Sequence, residues 1–382
     1  MGGLNYFPRY RLEQDDMRIV ADENIPFIKD YFDQCGELIL KPGRQLVRHD
    51  VESADMLILR SVTPVNKELL QDTAVKFVGC VSTGVDHIDA EWLSQAGISW
   101  HAAEGCNAIG VAEYVVTVIA ALEKMEILSE KKRRAAVVGV GRIGSQVAEK
   151  LKILGFEVLL CDPLRAQVDK DFVSTPFAEL KDLDFISLHT PLTKTGQYPT
   201  YHMVDRTFIQ RQNKNCVVLN AGRGSVVDFS DLKEYGETLY WCLDVWENEP
   251  MIDFEVLALA DIATPHIAGY TVESKYRAID MVYQAACKQM KLPDRLSMTP
   301  PKEVIDFSGK AVDWRDVVLS VYDPRETTAV MKKVIVEDGS GKAFDQLRNH
   351  FQSRREFGFV DLRCAELDSK DWDRICQLGF SK

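Results

Sequence analysis

Three charged side chains stand where they could act on an alcohol carbon next to a carboxylate. Arg223 lies in Asn220-Ala221-Gly222-Arg223-Gly224, Glu249 in Glu247-Asn248-Glu249-Pro250, and His266 in Thr264-Pro265-His266-Ile267-Ala268-Gly269. A guanidinium fixes a carboxylate through paired N–H donors. An imidazole exchanges a proton near neutral pH, and a carboxylate beside it orients the ring and supports its cationic form. Singly, each is an ordinary strand-end charge or turn. In order, and behind a nucleotide-binding signature, they point to one chemistry. That signature is Gly139-Val140-Gly141-Arg142-Ile143-Gly144, directly after the apolar run Ala135–Val138. Gly139 permits a tight turn, Gly141 lets a pyrophosphate approach the backbone, and Gly144 lets the following helix pack close. Arg142 and Ile143 complete the loop, and the helix start offers free amides and a positive dipole end to the phosphates. Asp162 ends the next strand, eighteen residues past Gly144. Its carboxylate can accept from both ribose hydroxyls and would repel a 2′-phosphate, so NAD is expected over NADP, with Arg165 nearby acting in the other direction. No metal site is expected.

These residues need a scaffold that brings strand ends together. The segments Ala135–Gly139, Glu157–Asp162, Phe185–His189, Cys216–Asn220, Leu239–Leu243 and Asp261–Thr264 read as six strands, separated by helical stretches such as Ser145–Leu154 and Thr207–Arg211. Such alternation predicts a parallel sheet with helices on its faces, and ligands then sit outside the carboxyl ends of the strands. All the named motifs fall at those ends. An earlier block has the same rhythm, with strands at Arg18–Ala21, Met56–Leu59 and Phe77–Val81 and helices at Pro26–Gln34, Lys67–Leu70 and Ala90–Ala96. Between the blocks a long helix is predicted from Asn107 to about Glu130, ended by the basic run Lys131–Arg134, which suits a solvated helix C-terminus. Another helix is predicted over Glu273–Lys291, followed by a polar, proline-punctuated tail.

The chain has 382 residues, enough for two or three domains. Its net charge of -12 argues against general nucleic-acid or membrane-surface binding, though a pocket can be locally basic. The nine cysteines form no Cys-x-x-Cys pair and sit mostly in apolar runs, as expected of reduced thiols in a cytoplasmic protein. Residues 1–16 are polar and aperiodic and read as an N-terminal extension.

The succession of motifs resembles the D-isomer-specific 2-hydroxyacid dehydrogenase family from about Met17 to Lys291. The resemblance implies an α/β architecture: a doubly wound Rossmann NAD-binding domain (115–268) inserted in a flavodoxin-like substrate-binding domain (17–114 and 269–291). It implies that Arg223 binds the substrate carboxylate, that His266 is the general acid/base, and that Glu249 rather than Glu247 hydrogen-bonds its ring. Asp244, Thr190 and Gly269 are implied near the cofactor. Further details resemble a branch of the family that acts on a phosphorylated hydroxy acid: Asp22-Glu23-Asn24-Ile25-Pro26, Pro42-Gly43-Arg44, Arg60–Asn66, Gly105–Ile109 and Pro265–Thr271. The tail fits that branch through Phe344-Asp345-Gln346-Leu347-Arg348 and Arg354-Arg355-Glu356. It implies a small α+β C-terminal dimerisation domain over 292–382, hence a homodimer. Arg60 and Ser61 at one strand end, and Ser82 and Thr83 at the next, are candidates for the distal phosphate, Arg44 a weaker one. Tyr270 is placed to cover the substrate. The resemblance implies hinges near residues 114 and 269. Alternatives at this level are dehydrogenases of 3-phosphoglycerate or other 2-hydroxy acids, and a non-catalytic NAD-binding corepressor-like protein.

Overall fold

The computed structural model describes residues 17–129, 133–293, 295–309, 311–338, 341–363 and 366–381. The expected extension 1–16, Lys131, Lys132 and Cys364 lie outside the described residues. The chain divides into two compact units, one formed by the residues up to Cys106 with Glu273–Pro300, the other by Asn107–Val272 with Pro301–Lys382.

The first unit is built on five parallel strands: β1 (Arg18–Asp22), β2 (Glu37–Lys41), β3 (Met56–Leu59), β4 (Phe77–Cys80) and β5 (Ser99–Ala102), ordered β2-β1-β3-β4-β5. The three inner strands are near-continuous buried apolar runs, as a sheet covered on both faces requires. The sequence pattern missed the two edge strands. Glu37-Leu38-Ile39-Leu40-Lys41 is closed by charges, and Ser99-Trp100-His101-Ala102 alternates weakly, because an edge strand buries less. The helix Val272–Met290 lays Ala278, Ile279, Val282, Tyr283 and Ala286 in one core with Ile19, Ile58 and Phe77. Gly79 allows its close approach: a Cβ there would stand 2.5 Å from Val282 Cγ1.

The second unit holds β6 (Arg133–Val138), β7 (Phe156–Cys161), β8 (Phe185–Leu188), β9 (Val217–Asn220), β10 (Tyr240–Leu243) and β11 (Ile262–Ala263) in the order β11-β10-β9-β8-β6-β7, every pair parallel. All six expected strands are present, within a residue or two of their predicted ends. From β6 the chain steps to β7 on one side, then crosses to β8 on the other. The crevice at that reversal is where a doubly wound sheet binds its ligand.

The long helix is shorter than its pattern suggests, Ala108–Lys124. It stops where Glu126 takes a left-handed φ of 60° and the Ile127 amide folds back on the Leu122 carbonyl at 2.9 Å. Within the basic run, Arg133 corrects the expectation of a solvated helix end. Arg133 opens β6 instead, with its guanidinium 2.6 Å from Glu123 and stacked 4.9 Å over the Phe156 ring. Glu123, almost completely buried like Arg133, also pairs with Arg315 at 2.6 Å, so it is removal of Glu123 that leaves buried charge uncompensated and costs about 3–5 kcal/mol.

Beyond Pro301 the chain adds two parallel strands, β12 (Glu303–Asp306) and β13 (Val360–Arg363), and the helices Trp314–Val321, Pro324–Asp338, Gly341–His350 and Ser369–Leu378. Their apolar residues, including Phe307, Trp314, Phe357, Ile375 and Phe380, share one core with Val115, Ile119 and Val137. Thr328 closes the open side of β11: its hydroxyl accepts from the Ala263 amide at 2.9 Å. Among the described residues no helix is long and apolar enough to cross a membrane.

Candidate active site

The histidine is held by its backbone before its side chain is considered. His266 adopts φ 57°, a left-handed conformation disfavoured for any side chain, and persists there because its surroundings over-determine it. Its amide donates to the Asp244 carbonyl at 2.7 Å. The next two amides, Ile267 and Ala268, donate to the Asp244 carboxylate at 2.7 and 3.0 Å. The Thr264 hydroxyl donates to the same carboxylate at 2.6 Å and is itself 2.8 Å from the Tyr114 hydroxyl. Burial pushes the Asp244 carboxyl above the ordinary carboxylate range despite these donors. Asp244, expected near the nicotinamide, is 2% exposed and serves first as the anchor of the histidine loop.

With the loop fixed, the ring meets its partner. His266 Nδ1 lies 2.8 Å from Glu249 Oε2, while Glu249 Oε1 accepts from the Trp246 amide at 2.9 Å. Burial alone would raise the Glu249 carboxyl, but the His266 ring and that amide outweigh it and hold the group below its ordinary value. Nδ1 is thereby committed to the carboxylate, and Nε2 is the ring atom outside that bond. Glu247, the other acid of the motif, faces His202 instead at 2.8 Å. Arg223 follows β9 in a turn fastened by Asn220, whose amide donates to the Arg223 carbonyl at 2.9 Å and whose oxygen accepts from Gly222 at 3.1 Å. Gly224 packs this turn against the Glu249 loop so tightly that a Cβ would stand 2.0 Å from the Trp246 carbonyl carbon.

The dinucleotide cradle forms at the sheet reversal. A Cβ on Gly139 would lie 2.8 Å from the His189 carbonyl carbon, so the loops after β6 and β8 pack backbone to backbone. A Cβ on Gly141 would meet nothing within 4 Å, which leaves that backbone open to a ligand. Arg142 and Ile143 begin the helix Arg142–Ile153. Asp162 reaches back to this loop, accepting from the Val140 amide at 2.9 Å. Arg165 lies against the same loop, donating to the Val140 carbonyl at 2.9 Å and the Ser145 hydroxyl at 3.1 Å, and it pairs with Asp169 at 3.2 Å. The Thr190 hydroxyl, on the residue whose amide abuts Gly139, is buried with no hydrogen-bond partner among the described residues. Crowded glycines at 139 and 144, open backbone at 141, an acid at the end of the next strand and an unsatisfied buried hydroxyl together fit a dinucleotide.

The phosphate candidates belong to the first unit, at the ends of the neighbouring strands β3 and β4. Arg60 is tied to Asp22 at 2.8 Å, and that carboxylate is fully buried. Ser61 is exposed. The Ser82 hydroxyl lies 2.9 Å from Cys80 Sγ and 3.2 Å from the Gly84 carbonyl. In the second unit, the Tyr270 hydroxyl accepts from Arg348 Nε at 2.9 Å, and a Cβ on Gly269 would lie 2.5 Å from Asn107 Nδ2. Arg348 and Arg354 are visible in the sequence as tail motifs. Nothing in that sequence told that they reach the histidine loop, because the contact spans more than seventy residues.

Residues 114–268 match the model of the D-isomer specific 2-hydroxyacid dehydrogenase NAD binding domain, and residues 300–379 match a domain of unknown function. An erythronate-4-phosphate dehydrogenase from Coxiella burnetii is 41% identical over 350 residues, 91% of this chain and 95% of that one. The chain belongs to the D-isomer-specific 2-hydroxyacid dehydrogenase family. It is accordingly an NAD-dependent dehydrogenase. The erythronate-4-phosphate dehydrogenase of Photorhabdus laumondii is 38% identical over 376 residues, 96% of this chain and 99% of that one. Among solved structures, D-lactate dehydrogenase from Aquifex aeolicus, in complex with NAD and lactic acid, is 25% identical with a TM-score of 0.60. The match covers 72% of this chain and 96% of that one.

Proposed function

We propose that this chain oxidises 4-phospho-D-erythronate to 2-oxo-3-hydroxy-4-phosphobutanoate with NAD, a step of vitamin B6 (pyridoxal 5′-phosphate) biosynthesis. The observation that carries the chemistry is His266 Nδ1 held 2.8 Å from Glu249, which presents Nε2 as the proton acceptor. The choice of acid rests on near full-length identity with the erythronate-4-phosphate dehydrogenases.

NAD, which Gly139–Gly144, Asp162 and Thr190 would hold, supplies the acceptor for the hydrogen and electron pair that leave C2. Arg223 binds the carboxylate and so sets which face of C2 is presented. His266 Nε2 takes the C2 hydroxyl proton as C2–O becomes a carbonyl, and Glu249 supports the imidazolium that results. In the reverse direction the same proton returns from His266 to the carbonyl oxygen. Ser61, Ser82 and Tyr270 are assigned to the phosphorylated chain of the substrate. Arg60 is assigned a supporting place, since Asp22 already neutralises it. A cytoplasmic homodimer through residues 292–382 completes the proposal, and the native mass of the full chain tests it. Activity is tested by comparing NADH formation from 4-phospho-D-erythronate and from 3-phosphoglycerate. Preference for the four-carbon acid supports the assignment, and preference for the three-carbon acid overturns it.

A further inference from the structure

The four residues that follow His266 are gripped from two sides, and the second grip comes from the far end of the chain. Asp244 takes the amides of Ile267 and Ala268, as described. Arg354 takes the carbonyls: Nη2 donates to Ala268 at 2.6 Å and to Gly110 at 2.5 Å, and Nη1 lies 3.4 Å from the Ile267 and 3.5 Å from the Tyr270 carbonyl. The arginine is 5% exposed, and no carboxylate pairs with it among the described residues. Its guanidinium lies against the rings of Tyr322 and Tyr114, 5.4 and 5.9 Å from their centroids. Arginine is seldom buried without an acid partner, because desolvating its charge is costly. Here the direct partners are backbone carbonyls, most of them from the one loop that begins at the catalytic histidine, with the acidic groups of Glu113 and Asp244 acting from beyond ion-pair distance.

The grip extends along the segment around Arg354. Its carbonyl accepts from the Val272 amide at 3.0 Å, and Thr271 donates from its side chain to Glu356 at 2.9 Å. Arg348 donates to the Tyr270 hydroxyl at 2.9 Å. Ile267, Ala268, Tyr270, Thr271 and Val272 thus each have a bond to the segment Arg348–Glu356.

We infer that Arg354 is a positioning residue for the reaction, and that through it the region matching a domain of unknown function is a working part of the active site. Asp244 fixes where the His266 loop begins. Arg354 fixes its path to Tyr270, so the ring stays in register with Glu249. This role rests on the reading of His266 as the acid/base.

The test compares Arg354→Met, which keeps bulk and removes every donor, with Arg354→Lys, which keeps the charge and part of the donor set. Three quantities are measured on the full chain: NADH affinity by fluorescence, kcat for 4-phospho-D-erythronate, and amide hydrogen exchange. The expected result for Arg354→Met is NADH affinity within about twofold and kcat down about 100-fold, the scale of a small misplacement of a reacting group. Exchange at residues 267–272 should accelerate at least about tenfold more than at β6. Arg354→Lys should recover part of each. A kcat within about twofold of wild type, or exchange that accelerates equally in the loop and in β6, would overturn the inference. If Arg354→Met is recovered unfolded, Arg354→Lys decides by the same readings. If the wild type does not turn over 4-phospho-D-erythronate, the substrate assignment fails, and the exchange comparison alone decides the clamp.

Discussion

The two parallel sheets of this protein follow the same local rules, yet their strand-end loops differ in how far they are satisfied from within. In the first unit two polar side chains after β3 and β4 have partners of their own: Arg60 has the buried Asp22, and Ser82 has Cys80 and the Gly84 carbonyl. In the second unit the loops retain chemical capacity. Among the described residues the Thr190 hydroxyl is buried without a partner, Gly141 exposes open backbone, and His266 is held in a left-handed conformation with one ring nitrogen committed to Glu249. A loop that satisfies its own polar groups is a structural terminus that a ligand can only join. A loop that leaves one unsatisfied, in a fold able to satisfy it, marks where a ligand belongs.

That contrast can be broken by substitution. The largest effect is expected at His266→Gln: kcat should fall about 10²–10⁴-fold while NADH still binds, since general acid–base catalysis contributes on that scale. Arg223→Ala should follow, with kcat/KM lowered about 100-fold through lost orientation of the carboxylate, and unimpaired turnover would remove the role given to it. Arg60→Met should act mainly on stability, by about 3–5 kcal/mol in denaturant titration, because it strands the buried Asp22 carboxylate. If instead it raises KM for the phosphorylated acid more than tenfold at unchanged stability, the first-unit loops are as chemically committed as those of the second.

The smallest effect concerns pH. Burial pushes the Glu113 carboxyl up to about 8, with the Glu356 carboxylate acting in the same direction. Its ordinary value is 4.5, so between those limits the folded chain holds a proton that the unfolded chain releases. Stability therefore falls as pH rises through that window, the reverse of the usual carboxylate. The Tm of the wild type should drop between about pH 5.5 and about pH 8.5, and Glu113→Gln should show a smaller drop.

The second unit was largely legible in the sequence because its signals are local. The glycines precede their helix, Asp162 ends the adjoining strand, and the Arg223, Glu249 and His266 motifs each follow an apolar strand. The choice of Glu249 over Glu247 came from resemblance to the family, and the structure turns the two acids toward different histidines. The edge strands β2 and β5 were missed because their patterns are diluted by exposure. Arg133 was misread because a basic cluster looks solvated unless its partner, here Glu123 across a turn, is known. The link from Arg354 to the histidine loop joins residues 86 positions apart and leaves no periodicity to read.

Central to this reading is that His266, oriented by Glu249, takes the hydroxyl proton of a phosphorylated four-carbon hydroxy acid while NAD accepts the hydrogen and electron pair from C2. The most direct measurement is the initial rate of NADH formation from 4-phospho-D-erythronate and from 3-phosphoglycerate, with wild type and His266→Gln side by side. The account predicts a clear preference of the wild type for 4-phospho-D-erythronate and its loss in the variant, with NADH affinity retained. Equal or better turnover of 3-phosphoglycerate, or a variant as active as the wild type, would contradict it.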